Sequence, residues 1–408
     1  MRVKGIVLLA GSIGLVPGLF SFAMVNGGFL SWFLFYFYLA VFLYEFVTWF
    51  SVLHGITAER TVSATRLSAG QTLEVRVTLQ RNRSPWPLIW LRIGQELPSK
   101  WQLKAQGPNQ VVQPLWTKHV EQTYHVPGLE RGVYVLGETV LESGDVLGLL
   151  RRQRVFPHHH EIIVYPSVVS VRGWTGKHPE EAGLRQPTRR RAEESSNVLG
   201  VRDYVPGDRL SRIHWPASAR RGMLQAKEFE LHVTGELLFI PDLSQVSFSG
   251  HESLFELEMT VVASLMKYAF ELHRRFGAAL HAEKLTSFPA GTDEALFLRC
   301  MEALAMAKPT GKVDFTQTLV RIAQEAPRGS TLVVVSPRLD REVAVAAAMA
   351  RRNANIEWFG PLNHATLNEQ ERTGLRMLQA GRVNVHLIRS ANQLTTLQRG
   401  GVERATGL

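Results

Sequence analysis

One cysteine, Cys300, occurs in 408 residues, which excludes an intrachain disulfide and permits a reducing compartment. No glycine-rich phosphate loop is present, and no complete catalytic constellation can be assembled from neighbouring motifs. Acidic residues are scarce relative to basic ones: 36 Asp and Glu against 46 Lys and Arg, a formal net charge of +10. Such a balance suits an anionic partner such as the inner leaflet of a membrane. No recognised nucleic-acid module accompanies it, so nucleic acid is not an expected partner. Beyond residue 54 there is no apolar run long enough to cross a bilayer. The mean hydropathy of −0.04 therefore hides an asymmetry, with a very apolar start and a remainder that reads as soluble protein.

Residues 1–54 carry two apolar runs, Gly5 to Val25 and Phe29 to Leu53, the second with only Glu45 ionisable. About 20 helical residues cross a ~30 Å hydrocarbon core, so the spacing predicts two transmembrane helices. A signal peptide is the competing reading of the first run, but the second follows at once and no clear cleavage site separates them. A buried soluble hairpin is the other alternative. Arg2 and Lys4 precede the first run, and Arg60 and Arg66 follow the second. The Asn26-Gly27-Gly28 turn has no basic residue, so both termini are expected in the cytoplasm, at the inner (cytoplasmic) membrane.

Residues 55–170 read as a β-rich, sandwich-like domain. Thr72 to Leu79 alternates strictly, and Gly132 to Leu136 and Ile162 to Tyr165 are further strands. Prolines 85, 87, 98, 114 and 127 exclude long helices. His158-His159-His160 reads as a solvated turn rather than a metal site. Arg151, Arg152 and Arg154 form either a solvated face or a lipid-phosphate contact. Residues 171–198, with Pro179, Pro187 and Arg189 to Arg191, read as a charged linker.

The densest polar motif opens the segment 199–235. Arg202, Asp203, Tyr204, Gly207, Asp208, Arg212, His214, Trp215 and Arg220 lie within twenty residues of one another. Pro206-Gly207 signals a turn. Guanidinium forks match carboxylate or phosphate geometry. The arginines therefore either pair with Asp203 and Asp208 as a clamp, or meet an acidic partner. Ser218 and His214 stand four apart, which leaves a serine hydrolase as a remote alternative, because no oxyanion loop accompanies them.

The string RDYVPGDRLSRIHWPASARRGMLQAKEFE resembles the signature of the bacterial domain of unknown function 58 family. The upstream stretch RGVYVLGETVLESGDVLGLLRR and the N-terminal helix pair are similar as well, so the resemblance spans most of the chain. It places Arg202, Tyr204, Gly207, Asp208, Arg212, Ile213, Trp215, Ser218 and Arg220 at family positions. It implies a von Willebrand A-like domain and a partner among MoxR-type AAA+ ATPases.

Residues 236–408 alternate strands and helices. Strands are expected at Leu237 to Ile240, Ala278 to Ala282, Thr331 to Val335, Ile356 to Phe359 and Val383 to Ile388. Helices are expected near 254–272, 293–308, 315–325 and 341–352, and Cys300 falls at a core position. Repeated β-α units imply a mainly parallel, Rossmann-type sheet with sites beyond the strands' carboxyl ends. Metal-binding von Willebrand A domains carry D-x-S-x-S after the first strand. Here Asp242 and Ser244 match, and Val246 replaces the last hydroxyl. Ser336 stands where an aspartate would help, Asp340 comes too late, and Thr286 or Thr292 is the candidate distant hydroxyl. The metal site is expected to be degenerate, with no cofactor required; Mg²⁺-dependent binding is the alternative. The expected function is a non-enzymatic, membrane-anchored scaffold or adaptor with a protein partner.

Overall fold

The structure, a computed structural model, describes residues 2–82, 87–174, 176, 198–205, 210, 213–229, 235–327 and 329–397. The side chains of residues 2–12, 198–200 and 228–229 are outside the description. The chain divides into two compact units, Met1–Tyr165 and Pro166–Leu408.

The first unit begins with helices α1 (Arg2–Asn26) and α2 (Phe29–Ser51). Among the described residues one helix, α2, is long and apolar enough to cross a membrane, and Ile13–Asn26 is a shorter apolar stretch. Gly27, at a φ of 62°, allows the reversal between the helices. The Phe20 ring then meets Trp32 and Phe35 edge-on or tilted.

Three sheets follow. The first orders β1 (Ile56–Val62), β3 (Leu73–Arg81) and β6 (His119–Val126), all antiparallel. The second orders β2 (Arg66–Ser68), β10 (His160–Tyr165) and β7 (Gly132–Leu136), with β2 parallel to β10. The third orders β5 (Gln110–Val112), β4 (Leu91–Gln95), β8 (Thr139–Gly144) and β9 (Arg151–Phe156). The alternation read in β3 buries Leu73, Val75, Val77 and Leu79 against Ile93, Tyr124, Leu136 and Ile162 in one core. The single turn α3 (Ser99–Gln102) adds Trp101, whose ring lies 4.6 Å from that of Tyr134.

Arg60 departs from its expected place at the membrane edge. It is buried inside the β-rich core, donating to Gly137 O at 2.6 Å, His158 O at 2.9 Å and Leu136 O at 3.2 Å. His158 and His160 flank it, half-buried, which leaves His159 as the solvated residue of that turn. Burial and the neighbouring guanidinium keep both imidazoles below their ordinary proton affinity.

The second unit contains a two-stranded sheet, β11 (Val198–Asp203) with β12 (Gln225–Phe229), bridged by helix α4 (Trp215–Arg221). It also contains a six-stranded sheet in the order β15 (Leu285–Gly291), β14 (Phe276–His281), β13 (Leu237–Pro241), β16 (Thr331–Val335), β17 (Asn355–Pro361), β18 (Asn384–Ile388). All neighbours are parallel except β14 and β15. After β13 come α5 (Gln245–Phe248) and α6 (Glu252–Glu271). Then follow α7 (Glu294–Met306), α8 (Phe315–Glu325), α9 (Arg341–Ala350) and α10 (Glu369–Ala380).

Alternate residues of the sheet face opposite layers. Ile240, Leu332, Val334, Ile356 and Trp358 pack with Phe315 and Leu319 of α8, Val343 and Ala347 of α9, and Leu378 of α10. On the other side α6 contacts β13, β14, β16 and β17. Tyr268 of α6 stacks obliquely on Trp174, which meets Phe359 edge-on and donates to Glu357. The helices begin where acceptor side chains cap them: Asp293, Asp314, Asp340 and Asn368 each accept from a first-turn N–H.

Candidate functional site

The carboxyl ends of β13 and β16 are adjacent, and this register builds a buried polar cluster in the second unit. Pro241 pairs with Val335, so Asp242 and Ser336 follow side by side. Asp242 is fully buried. Its Oδ1 accepts from the Ser244 amide at 2.9 Å and the Ser244 hydroxyl at 2.6 Å. Its Oδ2 accepts from the Ser247 hydroxyl at 2.7 Å and the Ser336 hydroxyl at 2.8 Å. Ser244 and Ser247 also lie 2.8 Å apart through their hydroxyls.

Ser247 lies outside the D-x-S-x-S comparison, whereas Ser336, which stands where that comparison wants an aspartate, is a hydroxyl companion of Asp242. The one-turn helix α5 starts after Ser244, so the next inward hydroxyl arrives at residue 247 and Val246 projects into solvent. The strand register brings Ser336 beside Asp242. Thr286 and Thr292, the candidates for a distant hydroxyl, belong to β15 and its end, separated from β13 by β14. The segment that does reach the Asp242 loop is the one around Gly311. Its amide donates to Leu243 O, and its carbonyl accepts from the Gln245 amide. A Cβ at Gly311 would come within 2.8 Å of Leu243 O, which is why glycine stands there.

Glu258 lies beneath the cluster. It occupies the buried stripe of α6 between Leu254 and Val261, a position the apolar spacing alone assigns to the core. Its Oε1 accepts from the Asp242 amide at 2.7 Å, and its Oε2 has no hydrogen-bond partner among the described residues. Burial raises the proton affinity of Glu258 well above the carboxylate range, and the Asp242 charge adds to it. Burial also raises that of Asp242, against the four hydrogen bonds that favour its charged form.

The donor set does not fit a resident Mg²⁺. It offers one buried carboxylate whose two oxygens already accept from the Ser244, Ser247 and Ser336 hydroxyls, and position 336 supplies a neutral hydroxyl in place of a second carboxylate. Among the described residues no group of three or more His, Cys, Asp or Glu side chains converges on one point. Mg²⁺ at about 1 mM is expected to leave the thermal midpoint unchanged, whereas a ligand at a hundred times its Kd adds about 2.7 kcal/mol. A rise in midpoint that disappears in Asp242→Asn would reverse this conclusion.

The Glu258 environment has a pH signature. The folded chain holds this proton more tightly than the unfolded chain does. Its contribution is therefore complete below the ordinary carboxylate range and is lost as pH rises toward the raised folded value. Each pH unit across that window removes up to about 1.4 kcal/mol for one such group. Glu258→Gln keeps an acceptor for the Asp242 amide and abolishes the titration. The variant is expected to match the parent in mild acid and to exceed it in melting temperature at neutral and higher pH. Parallel stability profiles for the two proteins would show that Glu258 does not titrate in this window.

The motif of the β11–α4–β12 segment forms a second candidate surface. Gly207, Asp208 and Arg212 lie outside the described residues. Arg202 sits in β11, half-buried, with one guanidinium nitrogen 3.0 Å from Asp203 O. The Asp203 carboxylate accepts from Gln225 Nε2 at 2.6 Å, and the Tyr204 amide donates to Leu224 O. His214 caps α4, its Nδ1 accepting from the Ala217 amide at 3.1 Å. Ser218 is buried; its hydroxyl donates to His214 O at 3.0 Å and accepts from the Gln225 amide at 2.8 Å. The Ser218 hydroxyl thus brackets α4 to β12, and the His214 ring nitrogen that caps the helix is occupied. This pairing is structural and does not form a nucleophile–base couple.

What the segment leaves outward is different in character. Trp215 is 63% exposed, and Val205, Leu210, Met223 and Leu224 are exposed with it. Arg220 and Arg221 close the same helix and are also exposed.

Residues 200–357 match the family described as "Protein of unknown function DUF58". The uncharacterized protein YeaD of Bacillus subtilis (strain 168) is 28% identical over 383 residues, which cover 92% of this chain and 93% of that one. Among solved structures, the ArnB paralog VWA2 from Sulfolobus acidocaldarius is similar over 83% of this chain and 53% of its own, at 7% identity and a TM-score of 0.23. Proximal thread matrix protein 1 from the mussel byssus is similar over 40% of this chain and 46% of its own, at 11% identity and a TM-score of 0.29. The match thus spans about half the length of either structure.

Proposed function

We propose that this chain, similar to the DUF58 family over residues 200–357, is a membrane-anchored scaffold. In this reading α1 and α2 form a transmembrane hairpin in the inner (cytoplasmic) membrane, with both termini in the cytoplasm. The first unit is a β-sandwich-like spacer. The second unit is a von Willebrand A-like domain that binds a protein, a MoxR-type AAA+ ATPase by family resemblance, and it works without a cofactor or catalysis.

One observation carries the reading. Among the described residues of the motif segment, His214, Ser218 and Gln225 are spent on internal brackets, while Trp215, Leu210, Met223 and the Arg220–Arg221 pair remain outward. Tryptophan, methionine and arginine are the residue types enriched at protein interfaces and their hot spots. A folded module that exposes them together is built for docking. The test is crosslinked purification from native membranes, with the ATPase as the scored product. Trp215→Ala or Arg220→Glu is expected to weaken capture roughly thirtyfold, the loss of a hot spot worth about 2 kcal/mol. Equal capture by parent and variants would remove this surface as the docking site.

Topology has its own test. The turn between α1 and α2 has no basic residue, and Arg2 and Lys4 lie at the opposite end of α1. A reporter fused after Leu408 is expected to be active only in its cytoplasmic form. Activity of a periplasmic reporter at that position would overturn the two-pass arrangement.

A further inference from the structure

Within the first unit, the β8–β9 connection is a hydrogen-bonded turn that touches α2. Asp145 is buried and brackets it: Oδ1 accepts from the Leu150 amide at 2.6 Å and Oδ2 from the Leu149 amide at 3.2 Å. Trp90 Nε1 donates to Asp145 O, and Ser143 donates to Trp90 O, so the base of the turn is locked to the sheet. The tip is the reverse of a water-facing loop. Val146, Leu147 and Leu149 are 61%, 57% and 47% exposed, and Gly148 adopts a φ of 76° that sustains the bend.

The tip is also registered along α2. The Val146 amide donates to Tyr44 Oη at 3.1 Å, and Tyr44 lies seven residues before the end of the helix, about 10 Å along its axis. Arg152 donates to Trp49 O at 2.6 Å, with its guanidinium 5.5 Å from the Trp49 ring centre. Arg154 donates to Leu53 O at 3.2 Å. Strand β9 is the outer strand of its sheet, and Arg151 to Val155 are all exposed. Arg151 has one acidic neighbour, Glu142 at 3.9 Å; among the described residues Arg152 and Arg154 have none.

We infer that the Val146–Leu149 tip and the adjoining Arg151, Arg152 and Arg154 form an interfacial membrane contact selective for anionic phospholipid. The inference rests on the proposed membrane placement of α2 and adds a second, peripheral contact to it. With α2 in the bilayer, its last two turns fall in the interfacial layer, where apolar side chains meet the acyl boundary and guanidinium groups meet lipid phosphates. The contact continues the surface of α2, and its charge is opposite to that of an anionic leaflet. The folded domain thereby supplies basic charge at the helix end that Arg60, being buried, does not.

The full chain in lipid nanodiscs tests this. Cys300 is buried, so an introduced cysteine carries the fluorophore. Labels are placed at Leu147→Cys, at Phe37→Cys on α2 and at Val135→Cys on the outer side of β7. Quenching is read with nitroxide-labelled phosphatidylglycerol, nitroxide-labelled phosphatidylcholine and aqueous iodide. The label at 147 is expected to follow the one at 37, quenched by lipid and severalfold less by iodide than the label at 135. Phosphatidylglycerol is expected to quench it more than phosphatidylcholine, with that preference reduced roughly fivefold by Arg151→Gln, the weight of one basic residue near the surface. Free exposure of 147 to iodide while 37 stays in lipid would overturn the inference and leave the anchor standing. Exposure of 37 would overturn both. Shielding of 147 from iodide without lipid quenching would assign the tip to a protein contact instead, and equal quenching by the two lipids would remove the anionic selectivity.

Discussion

Asp242→Ala is expected to open the second unit roughly a hundredfold more often than the parent. The carboxylate is the common acceptor for the Ser244 amide and for the Ser244, Ser247 and Ser336 hydroxyls. A buried donor left without a partner costs about 1–3 kcal/mol, so four stranded donors set a large upper bound. Two effects reduce it. Ser244 and Ser247 already lie 2.8 Å apart and can satisfy one another. Loss of the Asp242 charge also relieves Glu258. A net loss of about 3 kcal/mol remains, and each 1.4 kcal/mol is a factor of ten in the open population. The chain carries its own reporter. Cys300 in α7 is the sole thiol, it is buried, and burial pushes its pKa up to about 12. Thiol labelling under native conditions therefore reads opening rather than surface reactivity. Asp242→Asn keeps one acceptor oxygen and is expected to lose far less. Labelling of Asp242→Ala at the parental rate would show that the serine cluster contributes nothing to stability.

The legible part of this molecule is the part where periodicity and burial agree. Thr331–Val335 and Phe315–Glu325 have the bounds their apolar patterns predict. Strand β13 and helices α6 and α9 differ from expectation by a residue or two at their ends. Edge elements carry weaker sequence signals. Strand β15 contains Pro289, pairs antiparallel with a shifted register and is only partly buried, so it has neither the apolar run nor the alternation of a strand. Helix α10 is polar over most of its length and interrupted by Gly374; its signals are the capping box of Asn368 and Glu371 and a narrow apolar face within a polar sequence. The candidate site divides in the same way. Asp242 and Ser244 are local in sequence and legible there. Ser336 is 94 residues from Asp242 and is brought in only by the parallel register of β13 and β16. Glu258 carries a polar side chain into a stripe whose pattern reads as core.

Gly374 explains itself through α10, and its replacement is the other large effect expected. In an exposed helix interior, alanine is favoured over glycine by about 1 kcal/mol. Here Gly374 is buried, and helix α10 approaches the backbone that precedes α9. A Cβ at this position would overlap the carbonyl oxygen of Leu339, lie 2.6 Å from its carbonyl carbon and 3.0 Å from that of Asp340. The obstacle is backbone, and that backbone is not free to move. Asp340 caps α9 through the Val343 amide at 2.9 Å. Arg338 holds the same turn through Asp340 at 2.8 Å and Asp314 at 2.5 Å, the latter being the cap of α8. Relief must come from α10 retreating, which withdraws Leu378 from its packing with Leu339 and Val343. Overpacking of this kind costs about 1–3 kcal/mol and occasionally more, and an immovable neighbour places Gly374→Ala at or above the top of that range. The expected result is a fall of several degrees in the thermal midpoint and Cys300 labelling accelerated by roughly a hundredfold. Thr373→Ala, one residue earlier on the exposed face, adds helix propensity without the clash and is expected to stay within about 0.5 kcal/mol of the parent. If Gly374→Ala proves as stable as Thr373→Ala, the close approach of α10 to residues 339–340 is not a feature of the folded protein.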